Sequence, residues 1–208
     1  MEQRPAGFPA TLEIDYPERE LNRVTTFFRL VTVVPIAIVL ALVSGPAGRS
    51  DASHFAWGAG GLVVLPTALL LLFQQKYPRW WFDWNVALTG FTTRVAAYLA
   101  LLRDEYPSVD EEQAVHLAIP YPDAANDLHR WLALVKWFLA IPHYIVLAFL
   151  GIAAVCCVIF AWFAILVAGR YPRSLFEFVV GVLRWSLRVG TYAFLLTTDR
   201  YPPFSFSA

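Results

Sequence analysis

The chain has 208 residues, of which 58% are hydrophobic and 15% are charged, and its formal net charge is zero. With a mean hydropathy of +0.54, it is too apolar for an ordinary soluble domain of this length. The balance of acidic and basic residues gives no reason to expect a nucleic-acid partner. We therefore expect an all-α integral membrane protein.

The first elements in chain order are a short strand and two membrane spans. Leu12, Ile14 and Tyr16 alternate with polar residues, which is typical of a half-buried strand. Two apolar runs follow at 27–44 and 55–73, separated by a polar loop. Each run is long enough to cross a bilayer core of roughly 30 Å, so together they predict a transmembrane hairpin.

The next helix is amphipathic. Residues 82–102 place Asp83 and Arg94 on one helical face. We expect this helix to lie in the membrane interface, where its charged side chains stay hydrated. An acidic linker is predicted at 103–115.

The second half of the chain repeats the first in the same order. Six tyrosines are each followed by proline and fall into two sets, namely Tyr16, Tyr77 and Tyr106, then Tyr121, Tyr171 and Tyr201. Around these tyrosines the aligned pairs include Leu12 with Leu117, Arg29 with Lys136, Tyr98 with Tyr192, and Asp104 with Asp199. We interpret the chain as two tandem units, at 11–108 and 116–203.

The second unit contains a much longer apolar run, at 131–169. As one helix this run would be on the order of 58 Å long, about twice the membrane thickness. We therefore expect a turn near Leu150 and Gly151, with a re-entrant hairpin as the alternative. The elements expected in this unit are spans at 131–150 and 152–168 and an interfacial helix at 175–196.

The distribution of basic residues predicts the topology. With four spans in total, every Lys and Arg except Arg49 falls on the side of the N-terminus. The positive-inside rule then predicts a multi-pass protein of the bacterial inner membrane with both termini in the cytoplasm. Two units of equal orientation predict a pseudo-twofold axis along the membrane normal, across which the two cytoplasmic strands pair.

Basic residues that recur in both units form the candidate site. Their position near the cytoplasmic interface predicts two equivalent pockets for anionic phospholipid headgroups. The residues are Arg23, Arg29, Lys76, Arg79 and Arg94 in the first unit, and Arg130, Lys136, Arg170, Arg173, Arg184 and Arg188 in the second. The alternative is that these residues serve only as topology signals, with Asp83 and Glu177 as ion-pair partners.

Three segments of the second unit carry a resemblance to a known family. They are LVKWFLAIPHY from Leu134, GRYPR from Gly169 and DRYPPF from Asp199. Residues 131–203 resemble bacterial membrane proteins of the domain of unknown function 4389 family, common in actinobacteria, and the first unit matches them more weakly. The resemblance implies a duplicated bacterial membrane domain and adds no reaction, ligand or catalytic residue.

The motifs that are absent decide the expected class of function. Enzyme motifs, metal-ligand spacing and a Gly-rich phosphate loop are missing from the sequence. We expect a non-catalytic protein without a cofactor or metal, most simply an accessory or scaffold subunit docking on a larger membrane complex. The alternatives are an anionic-lipid-binding protein and a small transporter or channel, for which only Pro35, Pro142 and His143 stand out within the spans.

Overall fold

The computed structural model describes residues 8–17, 21–44, 58–109, 111 and 113–206. The loop predicted between the first two spans lies outside these residues. The described residues form six helices and two strands, in the order β1 (Thr11–Ile14), α1 (Arg23–Ser44), α2 (Gly58–Gln74), α3 (Arg79–Leu99), β2 (Val115–Ala118), α4 (Leu132–Leu139), α5 (Ile141–Ala168) and α6 (Arg173–Ala193). The fold is therefore mostly helical, as the composition predicts.

Two of the described helices are long and apolar enough to cross a membrane, namely α1 over Arg23–Ala41 and α5 over Ile141–Ala168. Only 28% of the most apolar stretch of α1 and 11% of that of α5 is buried inside the protein. A core helix of a soluble domain would be mostly buried. The exposed apolar faces of α1 and α5 thus favour contact with lipid.

The turn predicted at Leu150 and Gly151 is wrong. Helix α5 runs through both residues without interruption and has 28 residues, which corresponds to about 42 Å at a rise of 1.5 Å per residue. The spans predicted at 131–150 and 152–168 are instead the short helix α4 followed by α5, with Ala140 between them. Pro142 stands in the first turn of α5, where its missing N–H costs no hydrogen bond.

Each of the two predicted amphipathic helices packs along an apolar helix. In α3, Phe91 and Val95 are buried together with Val33 and Ile36 of α1. Helix α6 packs on α5, and its Val189 is buried in a cluster that includes residues of both helices. Both amphipathic helices begin and end two or three residues earlier than predicted.

The two strands pair antiparallel, which confirms the predicted pairing. Leu12 lies opposite Leu117, and Thr11 opposite Ala118. Leu12 is only 1% exposed, and its carbonyl oxygen accepts a hydrogen bond from Nε of Arg184 in α6 at 2.9 Å. The small sheet therefore covers part of the polar stripe that Glu177, Arg184 and Arg188 form on one face of α6.

Glycine substitutions test whether α5 is continuous at Gly151. Gly151→Ala should raise the free energy of unfolding by roughly 0.5–1 kcal/mol, because alanine is the better residue within a helix. A Cβ at this position meets no atom within 4 Å. The measurement is denaturant unfolding of the protein in detergent, monitored by circular dichroism.

Gly169→Ala is the matched control. Gly169 ends α5 with φ of 73°, a left-handed conformation that costs other residues roughly 1–2 kcal/mol. This variant should be less stable than the wild type. If Gly151→Ala lost as much stability as Gly169→Ala, the result would support the turn predicted at Leu150 and Gly151.

Candidate functional site

Arg29 of α1 is a buried cation with internal partners. Its side chain is 3% exposed and forms an ion pair with Asp104. The guanidinium also donates to the carbonyl oxygens of Tyr98 at 2.9 Å and Arg103 at 2.5 Å, and it lies 4.2 Å from the centre of the Tyr98 ring. Leu101, with φ of 61°, makes the left-handed turn after α3 within this segment. Arg29 thus holds the end of α3 against α1.

Lys136 of α4 has a similar environment. It is 1% exposed and lies 2.6 Å from a carboxylate oxygen of Asp199. Its ammonium donates to the carbonyl oxygen of Thr198 at 2.8 Å and lies 5.5 Å from the centre of the Tyr192 ring. Burial lowers the pKa of Lys136, and the hydrogen bond to Asp199 opposes that shift.

The two carboxylates also bind the start of a helical segment. Asp104 accepts a hydrogen bond from the backbone N–H of Asn22, and Asp199 accepts one from the backbone N–H of His129, each at 2.7 Å. Asn22 directly precedes α1, and His129 lies three residues before α4. Asp104 therefore holds the segment after α3 at the start of α1, and Asp199 holds the segment after α6 near the start of α4.

Sequence reasoning missed these two carboxylates as ion-pair partners. It gave that role to Asp83 and Glu177 and placed Asp104 in a solvated linker. The structure pairs Glu177 with the exposed Arg173 at 3.2 Å, whereas the buried cations use Asp104 and Asp199. The available signal was the alignment of the two aspartates, each two residues before a Tyr-Pro pair.

Two tyrosine hydroxyls connect the halves of the chain. Tyr16 donates to the carbonyl oxygen of Tyr171 at 2.5 Å, and Tyr121 donates to the carbonyl oxygen of Tyr77. Tyr77 and Tyr171 are themselves buried. Burial raises the pKa of Tyr77 to about 12, so this phenol stays protonated in the physiological range.

Three further predicted cations also point to internal partners. Arg94 donates to the carbonyl oxygen of Ser108 at 3.0 Å, and Arg188, which is buried, donates to Oγ of Ser205 at 3.3 Å. Arg184 donates to β1, as described above. These three residues, like Arg29 and Lys136, bind parts of the protein.

The other six predicted cations are exposed, and three of them form the first basic cluster, which consists of Arg23, Arg170 and Arg173. The backbone N–H of Leu21 donates to the carbonyl oxygen of Gly169 at 2.9 Å. This contact brings the start of α1 to the end of α5. Arg23 from one half of the chain therefore lies near two cations of the other half.

The second basic cluster consists of Lys76, Arg79 and Arg130, which are also exposed. Arg130 donates to Oε1 of Gln75 at 2.5 Å, and this contact brings the start of α4 to the end of α2. Once more, two cations of one half lie near one cation of the other.

The two basic clusters flank the sheet. The guanidinium of Arg173 lies 5.8 Å from the centre of the Tyr16 ring, and Tyr16 follows β1. The guanidinium of Arg79 lies 5.3 Å from the centre of the Tyr121 ring, and Tyr121 follows β2. The structure thus gathers three cations on each side instead of the five or six predicted for each pocket.

His143, considered in the sequence as a transport residue, lies in an aromatic environment. It is fully buried, and its Nδ1 accepts a hydrogen bond from Nε1 of Trp185 at 3.1 Å. Phe204 stacks on the imidazole with ring centres 4.0 Å apart. These contacts give His143 a packing role between α5, α6 and the C-terminal segment.

Comparison with known families supports the resemblance for the second half of the chain. Residues 130–205 match the model of the family described as Domain of unknown function (DUF4389). The match covers less than half of the chain and includes α4, α5, α6 and Asp199. No curated protein and no solved structure matches the chain.

The Lys136–Asp199 pair can be tested by removing its partners one at a time. Asp199→Asn should lower the free energy of unfolding by roughly 3–5 kcal/mol, because a buried cation loses its counter-charge. The measurement is denaturant unfolding in detergent, with Arg173→Gln as a control that breaks an exposed ion pair instead.

Adding Lys136→Met to Asp199→Asn should recover much of the lost stability, since no buried charge is then left unpaired. The single variant Lys136→Met completes the comparison. If the loss of unfolding free energy in the double variant equals the sum of the losses in the two single variants, the contact between Lys136 and Asp199 does not stabilise the fold.

Proposed function

We propose that the chain is a duplicated membrane protein of the bacterial inner membrane that binds anionic phospholipid headgroups at the two basic clusters. The observation that carries this proposal is the gathering of the six exposed candidate cations into two sets of three. Each set combines cations of both halves of the chain, and each lies at an end of a helix that is apolar over most of its length.

Matched contacts support the duplication. Arg29 with Asp104 and Lys136 with Asp199 are aligned pairs, and both are buried ion pairs. The hydrogen bond from Tyr16 to Tyr171 likewise matches that from Tyr121 to Tyr77. Two unrelated halves would have no reason to repeat these contacts at aligned positions.

The sheet supports a pseudo-twofold axis between the halves. Leu12 and Leu117 are aligned with each other in the sequence, and they also lie opposite each other in the antiparallel sheet. Two equivalent residues that contact each other must lie on either side of a twofold axis. This proposed axis passes between β1 and β2 and relates the two basic clusters.

The surroundings of the second basic cluster favour a membrane interface. Trp80 is 70% exposed and follows Arg79, while Trp131 is 75% exposed and follows Arg130. Tryptophan is enriched where a membrane meets water. A phosphate group at this depth meets cations above the apolar helices, and each cation contributes about 1 kcal/mol near an anionic surface.

The orientation predicted for four spans, with all of these cations and both termini in the cytoplasm, does not carry over to a single crossing by α5. Arg130 precedes α4 and α5, whereas Arg170 and Arg173 follow α5. A helix α5 that crosses the membrane once therefore gives the two basic clusters opposite interfaces of the membrane. The number of crossings in this proposal follows the structure, in which α5 is a single helix, and does not repeat the four predicted spans.

Lipid binding by each cluster can be measured by native mass spectrometry in mild detergent with added phosphatidylglycerol. Replacing Arg23, Arg170 and Arg173 by glutamine removes about 3 kcal/mol of attraction, which corresponds to a loss of affinity on the order of a hundredfold at that cluster. The same change at Lys76, Arg79 and Arg130 should have an equal effect at the other.

Two controls accompany this measurement. Arg200→Gln removes an exposed arginine outside both clusters and should leave phosphatidylglycerol binding unchanged, unlike Arg173→Gln. Phosphatidylcholine, which has no net charge, should bind all variants equally. Retention of phosphatidylglycerol by both triple variants would exclude the clusters as the binding site.

An accessory or scaffold role remains the prediction that composition and lack of motifs favour. The same mass spectra test it, because the wild-type protein extracted from its own membranes would then carry a second protein in fixed stoichiometry. Lipid in defined stoichiometry without a second protein would favour lipid binding as the function.

A further inference from the structure

An apolar groove lies between α3 and α6, with a volume of about 550 Å³. Leu88 and Val95 of α3 form one wall, Val182 and Leu187 of α6 form the other, and Val158 of α5 lies along the groove. Its volume falls within the range of roughly 300–1,000 Å³ that is usual for sites of small ligands. The basic clusters contribute no residue to it.

The hydroxyl groups of the groove are already bound to backbone oxygens. Thr89, Thr92 and Thr93 of α3 donate to carbonyl oxygens of residues four positions earlier, at 2.7–2.8 Å. Ser186 and Thr191 of α6 donate to backbone carbonyl oxygens at 2.8 and 2.9 Å. The threonines thus turn their hydroxyls to the helix backbone, and the groove offers mainly apolar contacts.

The groove reaches the apolar surface of the protein. Val155 and Ile159 of α5 line it, yet they are 60% and 52% exposed. They belong to the long apolar face of α5 that lies outside the protein core. The groove therefore opens onto the exposed apolar face of α5, and a molecule in the groove contacts the medium that covers this face.

We propose that this groove holds a hydrocarbon chain of a membrane lipid. The inference rests on the proposed membrane location, because the bilayer is what covers the exposed face of α5. A polar ligand would lose its hydration without gaining hydrogen bonds, since the hydroxyls are satisfied within the helices. A hydrocarbon chain has no hydrogen bonds to water that it could lose, and it fills the space beside the small residues of the groove.

Gly190 provides a direct way to fill the groove. It lines the groove, and a Cβ built on it meets no atom within 4 Å. Gly151 also has open space at its Cβ but does not line the groove. The two glycines lie within helices, so Gly190→Leu and Gly151→Leu form a matched pair in which only one substitution occupies the site.

The experiment uses the full chain in vesicles of phosphatidylcholine alone, with phosphatidylcholine that carries a diazirine at the end of one hydrocarbon chain as the probe. After irradiation, mass spectrometry of peptides should locate adducts on groove residues of α3 and α6, such as Thr92 and Ser186. Gly190→Leu should reduce these adducts about tenfold, equivalent to about 1.4 kcal/mol, whereas Gly151→Leu should leave them unchanged.

Gly190→Ala, a smaller change with better helix propensity, should give a partial reduction and keeps the test valid if Gly190→Leu does not fold. Adducts confined to the outer faces of α1 and α5, or groove adducts unchanged in both Gly190 variants, would overturn the proposal. Because the vesicles carry no anionic lipid, failure of headgroup binding at the basic clusters would not alter this labelling.

Discussion

The fold depends on the requirement that a cation removed from water must meet a carboxylate. Arg29 and Lys136 are almost completely buried in apolar surroundings, and removing an unpaired charge from water costs several kcal/mol. Asp104 and Asp199 meet this requirement. Because each aspartate also accepts a backbone N–H near the start of α1 or α4, each joins the two ends of its half of the chain.

The contacts between the two halves of the chain depend on where Asp104 and Asp199 hold the ends of each half. Once the segment after α3 is held at α1, β2 is placed beside β1, and the two strands pair through Leu12 and Leu117. The tyrosine hydroxyls then reach the opposite half. The strands also satisfy Arg184, so a polar stripe that would face water in an isolated amphipathic helix is covered by protein.

The division of the basic residues gives the structure its functional meaning. Arg29, Lys136, Arg94, Arg184 and Arg188 bind internal partners, so they serve the fold. The exposed cations lie on both sides of the sheet, and those of the second cluster adjoin two exposed tryptophans. The proposed headgroup sites and the proposed groove use different residues, and together they would bind the two chemically distinct parts of a phospholipid.

Local patterns in the sequence were enough to predict the helical class, the apolar character of α1 and α5, the two strands and the positions of α3 and α6, because periodicity and composition are local properties. The alignment of the two halves also predicted which cations are equivalent. The other features became apparent only from the three-dimensional structure. Gly151 lies in a run without polar residues, so hydropathy contained no signal for or against a turn, and the continuity of α5 became apparent only in the structure. Which cations are buried was likewise undecided, since Arg29 and Arg23 look alike in sequence. Their roles differ because the side chain of Arg29 is buried and forms an ion pair with Asp104, which lies more than seventy positions away in the chain.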